Sequence, residues 1–252
     1  MSAATNDITA VLLAAGKGVR MQSELPKVLH PLNGTPLIRH VIDSVMAAGI
    51  RDIIVVVGYQ GQQVIDALDG IPGITVAWQR EQLGTGHAVL QAEQVRAGFP
   101  GPVLVACGDV PLIRPAHFRS LVDAAREPNA RAAVLTMLQD NPTGYGRIMK
   151  DARGFIERIV EEKDATPDEK AVREVNSGTY VFDGPLLFEG LKTIGTDNAQ
   201  REYYLPDVLQ HIRRSGYDVR AVLLEDAVCG RGINSREELA ALEEYLREHA
   251  PQ

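Results

Sequence analysis

Cysteine is nearly absent from this sequence: Cys107 and Cys229 are the only two in 252 residues. They show neither CxxC spacing nor a neighbouring histidine cluster, so no disulfide framework and no structural zinc site is expected, and the usage suits a reducing compartment. An excess of cations is lacking too. Lys and Arg number 26 against 33 Asp and Glu, a net charge of -7, whereas a nucleic-acid binder grips phosphates with clustered Lys and Arg on one face. No nucleic-acid partner is expected. Long apolar runs are also missing: the N-terminal MSAATNDITAVLLAAG has no basic leader and is far too short in its apolar part to span a bilayer. It reads as a first strand, and a cytoplasmic protein without membrane contact is the expectation. The 23 glycines and 14 prolines are scattered rather than clustered, so no linker stands out, and no hexapeptide repeat is visible. The length fits one domain over residues 1–252.

What is present is an alternation. Apolar, β-branched runs at Ile8–Leu13, Asp52–Val57, Thr75–Trp78, Val103–Cys107 and Ala132–Leu138 predict strands buried on both faces. Between them Pro36–Gly49, Gln60–Leu68 and Gly86–Arg96 carry helical spacing, the first closing on a capping glycine. The order βαβαβαβ predicts an α/β fold of Rossmann-like type, a mostly parallel sheet with helices on both faces. After Leu138 the rhythm changes. Two strand-like runs flank a turn at Asp151–Gly154, and EVNSGTYVF is a further strand, so residues 139–183 are expected to form an antiparallel insertion. A helix through Asp207–Ser215, a strand at Asp218–Leu223 and a final helix from Ser235 follow, the last with SREE as a capping box that has Glu238 at its third position.

The apolar start of strand one breaks into AAGKGVRM. In open α/β sheets ligands bind beyond the carboxyl ends of the strands, where glycine-rich turns expose N–H groups to an anion. The third glycine of a dinucleotide fingerprint is here Met21, and GK is followed by Gly18 rather than the Ser or Thr of a Walker loop, so both of those readings fail. There remain glycines for close approach and three cations, Lys17, Arg20 and the Lys27 of LPK, within eleven residues. Such a set suits a triphosphate, although a Gly-Lys-Gly turn also serves simply to join strand to helix. Asp109 in CGDVPL follows a buried strand and lands on the same edge. It is placed either to hold a cation such as Mg2+ or to cap the next helix.

The series LAAGKGVRM, LPKVLH, EQLGTGHA, GDVPL, TGYGRI, IVEEKDA, EVNSG, NAQREYYLPDVL and GINSREEL, in that order from about Leu12 to the last helix, resembles the uridylyltransferase domain of bacterial bifunctional N-acetylglucosamine-1-phosphate uridylyltransferases. The resemblance implies a nucleotide-diphospho-sugar transferase fold with residues 139–183 as its sugar-binding part. It also implies transfer of UMP from UTP to N-acetylglucosamine 1-phosphate, with pyrophosphate as product and Mg2+ as cofactor. By position, Arg20 and Lys27 match the catalytic cations that neutralise phosphate charge, and Leu13, Ala14, Ala15 and Gly16 match residues lying against the nucleotide. Gln79, Gly84 and Thr85 match those that read uracil, Gly146, Glu161 and Asn176 contacts to the sugar, and Asp109 and Asn234 the metal ligands. On the residues alone, Gln79 can also read as a polar strand end facing solvent, and Glu161 as part of a solvated hairpin edge. His30, His40, His87 and His117 are expected to pack or cap, because an anionic phosphate nucleophile needs no base.

Three departures from the family pattern stand out: Val19 where a small hydroxyl residue is usual, Arg201 where Gly is common, and Cys107 beside Asp109. The family's β-helix acetyltransferase part is missing from the sequence, so acetylation is not expected of it, and the family's trimeric assembly, which rests on that part, is not implied. The alternatives are a uridylyl- or thymidylyltransferase for another sugar 1-phosphate such as glucose 1-phosphate, and a catalytically silent nucleotide-sugar sensor.

Overall fold

Burial on both faces of the strands decides the layers. In the computed structural model, which describes residues 7–96 and 98–249, β1 (Thr9–Ala14) sends Ala10, Leu12 and Ala14 into one core cluster and Val11 into another on the opposite face. Neighbouring side chains of a strand point to opposite faces, so a strand apolar throughout needs cover on both. On the first face lie α1 (Leu37–Ala47), α2 (Gly61–Ala67) and α4 (Pro115–Ala125). On the second lie α3 (Thr85–Leu90), α6 (Gly184–Leu191) and α7 (Val208–Arg214).

The sheet runs β11 (Asp218–Leu223), β7 (Ala130–Leu138), β10 (Glu174–Asp183), β6 (Pro102–Cys107), β1, β4 (Asp52–Val57) and β5 (Ile74–Trp78), while β2 (Pro31–Leu32) and β3 (Thr35–Pro36) pair apart from it and the short α5 (Pro167–Lys170) precedes β10. Strands β5, β4, β1 and β6 are mutually parallel, β10 is antiparallel to β6 and β7, and β11 is parallel to β7. The strand expectations hold to within a few residues. The closing glycine of α1 also sits where a helix stop demands it: Gly49 is left-handed at φ 100°, and Ile50 N–H reaches back to the Val45 carbonyl at 3.3 Å.

Three details differ from the sequence expectation. The helix foreseen to Arg96 stops at Leu90 and tightens into a 3-10 turn over Gln91–Gln94. There the Gln91 carboxamide donates to the His87 carbonyl at 2.8 Å while its backbone N–H turns to Ala88. The capping box of α8 (Arg236–Glu248) is only half made: Ser235 Oγ accepts from Glu238 N–H at 3.2 Å, but the Glu238 carboxylate accepts from Asn234 N–H, one residue earlier, at 2.6 Å. The third concerns residues 139–183. Strands β8 (Arg147–Lys150) and β9 (Ile156–Val160) form a ribbon off the main path, yet β10 returns into the heart of the main sheet between β6 and β7. Its register shifts between Asn176 and Thr179, with Gly178 at φ 78°. The bulge lets the first residues of β10 leave the line of β6 and pair with β8 through Val175 and Arg147.

Candidate active site

The carboxyl ends of β1, β4 and β6 meet at one edge, and the first loop is tied there on both sides. Gly108 N–H donates to the Leu13 carbonyl at 2.9 Å and Tyr59 N–H to the Ala15 carbonyl at 3.2 Å. Beyond Ala15 the chain rises to the exposed Gly16 and Lys17 and turns at Gly18, whose φ is 58°. A β-carbon at residue 18 would lie 2.6 Å from Lys27 Cβ. Only glycine allows both this left-handed turn and this contact, so the loop packs directly on the lysine.

Pro26 introduces a 3-10 turn over Lys27–Leu29 that points Lys27 across the edge. Its ammonium pairs with the Asp109 carboxylate and donates to Asn234 Oδ1 at 3.0 Å. Asp109 and Asn234 come from segments joined by the hydrogen bond from Ile233 N–H to the Asp109 carbonyl, 2.9 Å. Two oxygen donors from distant parts of the chain thus converge on one point, already marked by a cation. Among the described residues no group of three or more His, Cys, Asp or Glu forms a metal cage. A carboxylate with a carboxamide oxygen matches the donor preference of a hard dication that completes its octahedron with phosphate and water.

On the opposite wall Gln79 is buried at the end of β5. Its Nε2 donates to the Gly84 carbonyl at 3.0 Å and lies 3.1 Å from His87 Nδ1. With the nitrogen engaged, Oε1 is the group left to accept from an imide N–H. Gly84, at φ 110°, and Thr85 begin α3 and are fastened to the segment from Asn198 to Leu205. Tyr203 N–H donates to Leu83 O and Gly86 N–H to Tyr203 O, both at 2.8 Å, and Leu205 N–H donates to Thr85 Oγ1 at 3.1 Å. A single cavity of about 420 Å³ joins the two walls, lined by Leu13, Ala14, Ala15, Gly16, Lys27, Gln79, Gly84, Thr85 and Asp109 together with Lys17, Gln82, Cys107 and Glu202.

Gly146, Glu161 and Asn176 gather beside this cavity rather than in it. Asn176 N–H donates to the Gly146 carbonyl at 2.9 Å, and its side chain accepts from Gly178 N–H at 2.9 Å and donates to Tyr180 Oη at 2.5 Å. A β-carbon at residue 146 would stand 3.0 Å from Glu161 Oε1. Burial, reinforced by the charges of Asp207 and Asp164 against the opposing Arg147, pushes the Glu161 carboxyl up to about 7. The Cys107 thiol links the two halves, lying 3.7 Å from the Gly178 carbonyl. Burial and the Asp109 charge, opposed by Lys27, raise it to about 12, so it stays protonated and can donate there. Arg20 is exposed and also outside the cavity lining. Burial, with the charge of Glu238, holds the Tyr145 phenol above its ordinary range against the opposing charges of Arg231 and Arg20.

The model of the MobA-like NTP transferase domain matches residues 10–173. The chain belongs to this family. The bifunctional protein GlmU of Pelotomaculum thermopropionicum is 49% identical over 241 residues, covering 96% of this chain and 52% of the relative. A GlmU of Thermus thermophilus is 49% identical over 238 residues, covering 94% and 51%. The chain spans about half the length of these curated relatives. The crystal structure of UDP-glucose pyrophosphorylase complexed with UDP-glucose shares the fold, with a TM-score of 0.77 at 18% identity over 95% of this chain and 98% of that one. The span matched by the MobA-like NTP transferase model carries Lys27, Gln79, Asp109, Gly146 and Glu161, while Asn176 and Asn234 lie beyond it on β10 and before α8.

Within this NTP transferase domain Arg201, one of the departures, acquires a physical setting. Arg201 adopts φ 55°, the left-handed region that suits glycine. Asn198 holds that turn by accepting from Gln200 and Glu202 N–H, both at 3.2 Å, and donating to Glu202 O at 2.6 Å. Val19 is 79% exposed on the outer side of the loop, and nothing in the structure explains its choice. The histidines pack or cap: His117 Nδ1 accepts from Arg114 N–H at the start of α4 (3.2 Å), His40 Nε2 meets the Leu32 carbonyl (3.1 Å), His87 supports Gln79, and His30 is buried. Sequence reasoning missed Gln82, Glu202, Tyr180 and the buried Arg147, whose guanidinium holds the Tyr145 carbonyl and the Glu162 carboxylate. Gln82 and Glu202 sit inside the quoted EQLGTGHA and NAQREYYL blocks. Arg147 lies in the quoted TGYGRI block and Tyr180 in the EVNSGTYVF strand, but only the fold shows the Glu162 carboxylate that holds the one and the Asn176 carboxamide that meets the other.

Proposed function

We propose that the chain transfers UMP from UTP to N-acetylglucosamine 1-phosphate. A phosphate oxygen of the sugar 1-phosphate attacks the α-phosphorus of UTP in line, the bond from that phosphorus to the bridging β-phosphate oxygen breaks, and pyrophosphate leaves with the electron pair. One observation carries the reading: Cys107 joins a cavity walled by Lys27, Asp109 and Gln79 to the adjoining Gly146, Glu161 and Asn176 cluster, which supports a nucleotide and a sugar phosphate bound end to end. The similarity to the GlmU relatives over nearly all of this chain supports the same assignment.

The nucleophile is already an anion, so alignment and charge neutralisation are the protein's task. Lys27 and Arg20 offset charge on the α-phosphate and the leaving pyrophosphate. Leu13, Ala14, Ala15 and Gly16 lie against base and ribose, Gln79 accepts from the uracil imide, and Gly84 and Thr85 close the base pocket. Asp109 and Asn234 would hold Mg2+, which when bound supplies further neutralisation of phosphate charge. Residues 139–183 serve as the sugar-binding part of a single domain, in which Glu161 and Asn176 face the sugar and Gly146 leaves room for it.

The test is a pyrophosphate-release screen crossing UTP, dTTP and CTP with several sugar 1-phosphates. UTP with N-acetylglucosamine 1-phosphate should exceed UTP with glucose 1-phosphate by at least about 100-fold in kcat/KM, because polar groups placed for the acetamide are left unpaired by glucose. Asp109→Ala should abolish turnover in a folded protein. Comparable use of glucose 1-phosphate would overturn the substrate assignment, and full turnover by Asp109→Ala at saturating Mg2+ the metal assignment.

A further inference from the structure

Arg236 has no role in the reading above, yet its guanidinium reaches back across more than two hundred residues to the first loop. Nε donates to the Met21 carbonyl at 3.1 Å and Nη2 to the Gln22 carbonyl at 3.2 Å. Both carbonyls lie at the end of the 3-10 turn Val19–Met21 that carries Arg20, a turn bounded by left-handed Gly18 and by Gln22 at φ 46°. Met21 is buried beneath it, while Val19 and Arg20 stand in solvent, so the outer side of the turn has little packing to hold it. Arg236 is also the first residue of α8. Two residues earlier, Asn234 is fixed by its N–H to the Glu238 carboxylate at 2.6 Å and offers Oδ1 to Lys27. Lys27 in turn packs its Cβ against Gly18. These contacts form a closed ring: loop, Arg236, the start of α8, Asn234, Lys27 and the loop again.

We propose that Arg236 is a positioning residue that locks the phosphate loop in register with Asn234, so that Arg20 and Lys27 meet the nucleotide phosphates from fixed positions. The proposal rests on the nucleotidyl-transfer reading of this site for its catalytic consequence. A guanidinium suits the task because its rigid fork spans two consecutive carbonyls, which a lysine ammonium on a flexible stem does not reproduce. Arg236 is itself exposed, so its loss should loosen the loop without unfolding the domain.

Hydrogen exchange on the whole chain, without nucleotide, tests the lock directly. In Arg236→Met the Met21 and Gln22 amides, which are bonded to Gly18 O and Val19 O, should lose protection while amides of β1 and β4 keep theirs. In the transfer assay kcat/KM for UTP should fall by roughly 100-fold, the scale of a misplacement of about 1 Å, with the melting temperature little changed and the KM for the sugar phosphate preserved. Arg236→Lys, which keeps the charge and secures the fold should the Met variant be unstable, should show the same losses in reduced degree. Unchanged protection of Met21 and Gln22 overturns the proposal, as does a loosened loop with undiminished kcat/KM, or a Lys variant equal to the unmutated protein in both measurements. Should the unmutated protein transfer no nucleotidyl group at all, the reading of the site fails on its own evidence, and the exchange data still decide the lock.

Discussion

Replacing Gly18 by alanine probes how closely the loop and Lys27 are coupled. The new β-carbon would stand 2.6 Å from Lys27 Cβ, whereas unbonded carbons rest at about 3.5–4.0 Å, so one of the two must retreat by about 1 Å. The left-handed backbone, φ 58°, adds about 1–2 kcal/mol of strain for any residue with a β-carbon. Gly18→Ala should therefore lose a modest amount of stability but about 100-fold in kcat/KM, because Lys27 loses its alignment with Asp109 and the phosphates. Gly70→Ala separates the two effects. Gly70 is also left-handed, at φ 75°, but its added β-carbon meets nothing within 4 Å, so that variant should suffer the strain and keep its rate. Urea denaturation and pyrophosphate-release kinetics on both variants give the comparison. If Gly18→Ala retains kcat/KM, or loses no more than Gly70→Ala does, the coupling of loop to lysine is refuted.

Glu161 makes stability depend on pH. With its carboxyl at about 7 in the fold against an ordinary 4.5, the native state holds a proton that the unfolded chain has released. Stability conferred by the protonated form is thus complete below about 4.5 and is lost as pH rises toward 7, up to about 3 kcal/mol in all. Glu161→Gln should then gain on the unmutated protein between pH 5 and pH 8 in urea melts, and a difference independent of pH would contradict this. Arg201→Gly should relieve the left-handed strain at φ 55°. Set against the greater freedom of glycine when unfolded, the net gain is up to about 1 kcal/mol, and a lower melting temperature would argue the reverse. Asn176→Ala should erode the preference for the N-acetylated sugar with little effect on UTP over CTP, and Gln79→Ala should do the opposite. Parallel losses in both preferences would show that sugar and base recognition are not separable.

Much of this protein was legible along the chain because the deciding signals are local. Continuous β-branched runs such as Asp52–Val57 need no partner to be read as buried strands, and the glycines of AAGKGVRM mark a tight turn at the end of the first strand wherever that strand lies. What was not legible depends on contacts between distant segments. The ribbon of β8 and β9 reads locally, but the entry of β10 between β6 and β7 is decided by pairing across the sheet, and so is the bulge at Asn176–Thr179 that turns Asn176 toward Gly146. The cations of the first loop were visible in sequence, yet only the fold seats Lys27 between Asp109 and Asn234 and ties Met21 and Gln22 to Arg236. The oddity of Arg201 shows by resemblance, while its setting, a left-handed turn held by Asn198, exists only in the fold. Local propensity and burial pattern therefore determine which elements form and where the turns between them fall, because they act over a few neighbouring residues. The tertiary structure alone decides which charges meet and how far apart they stand, because those distances depend on how remote segments pack.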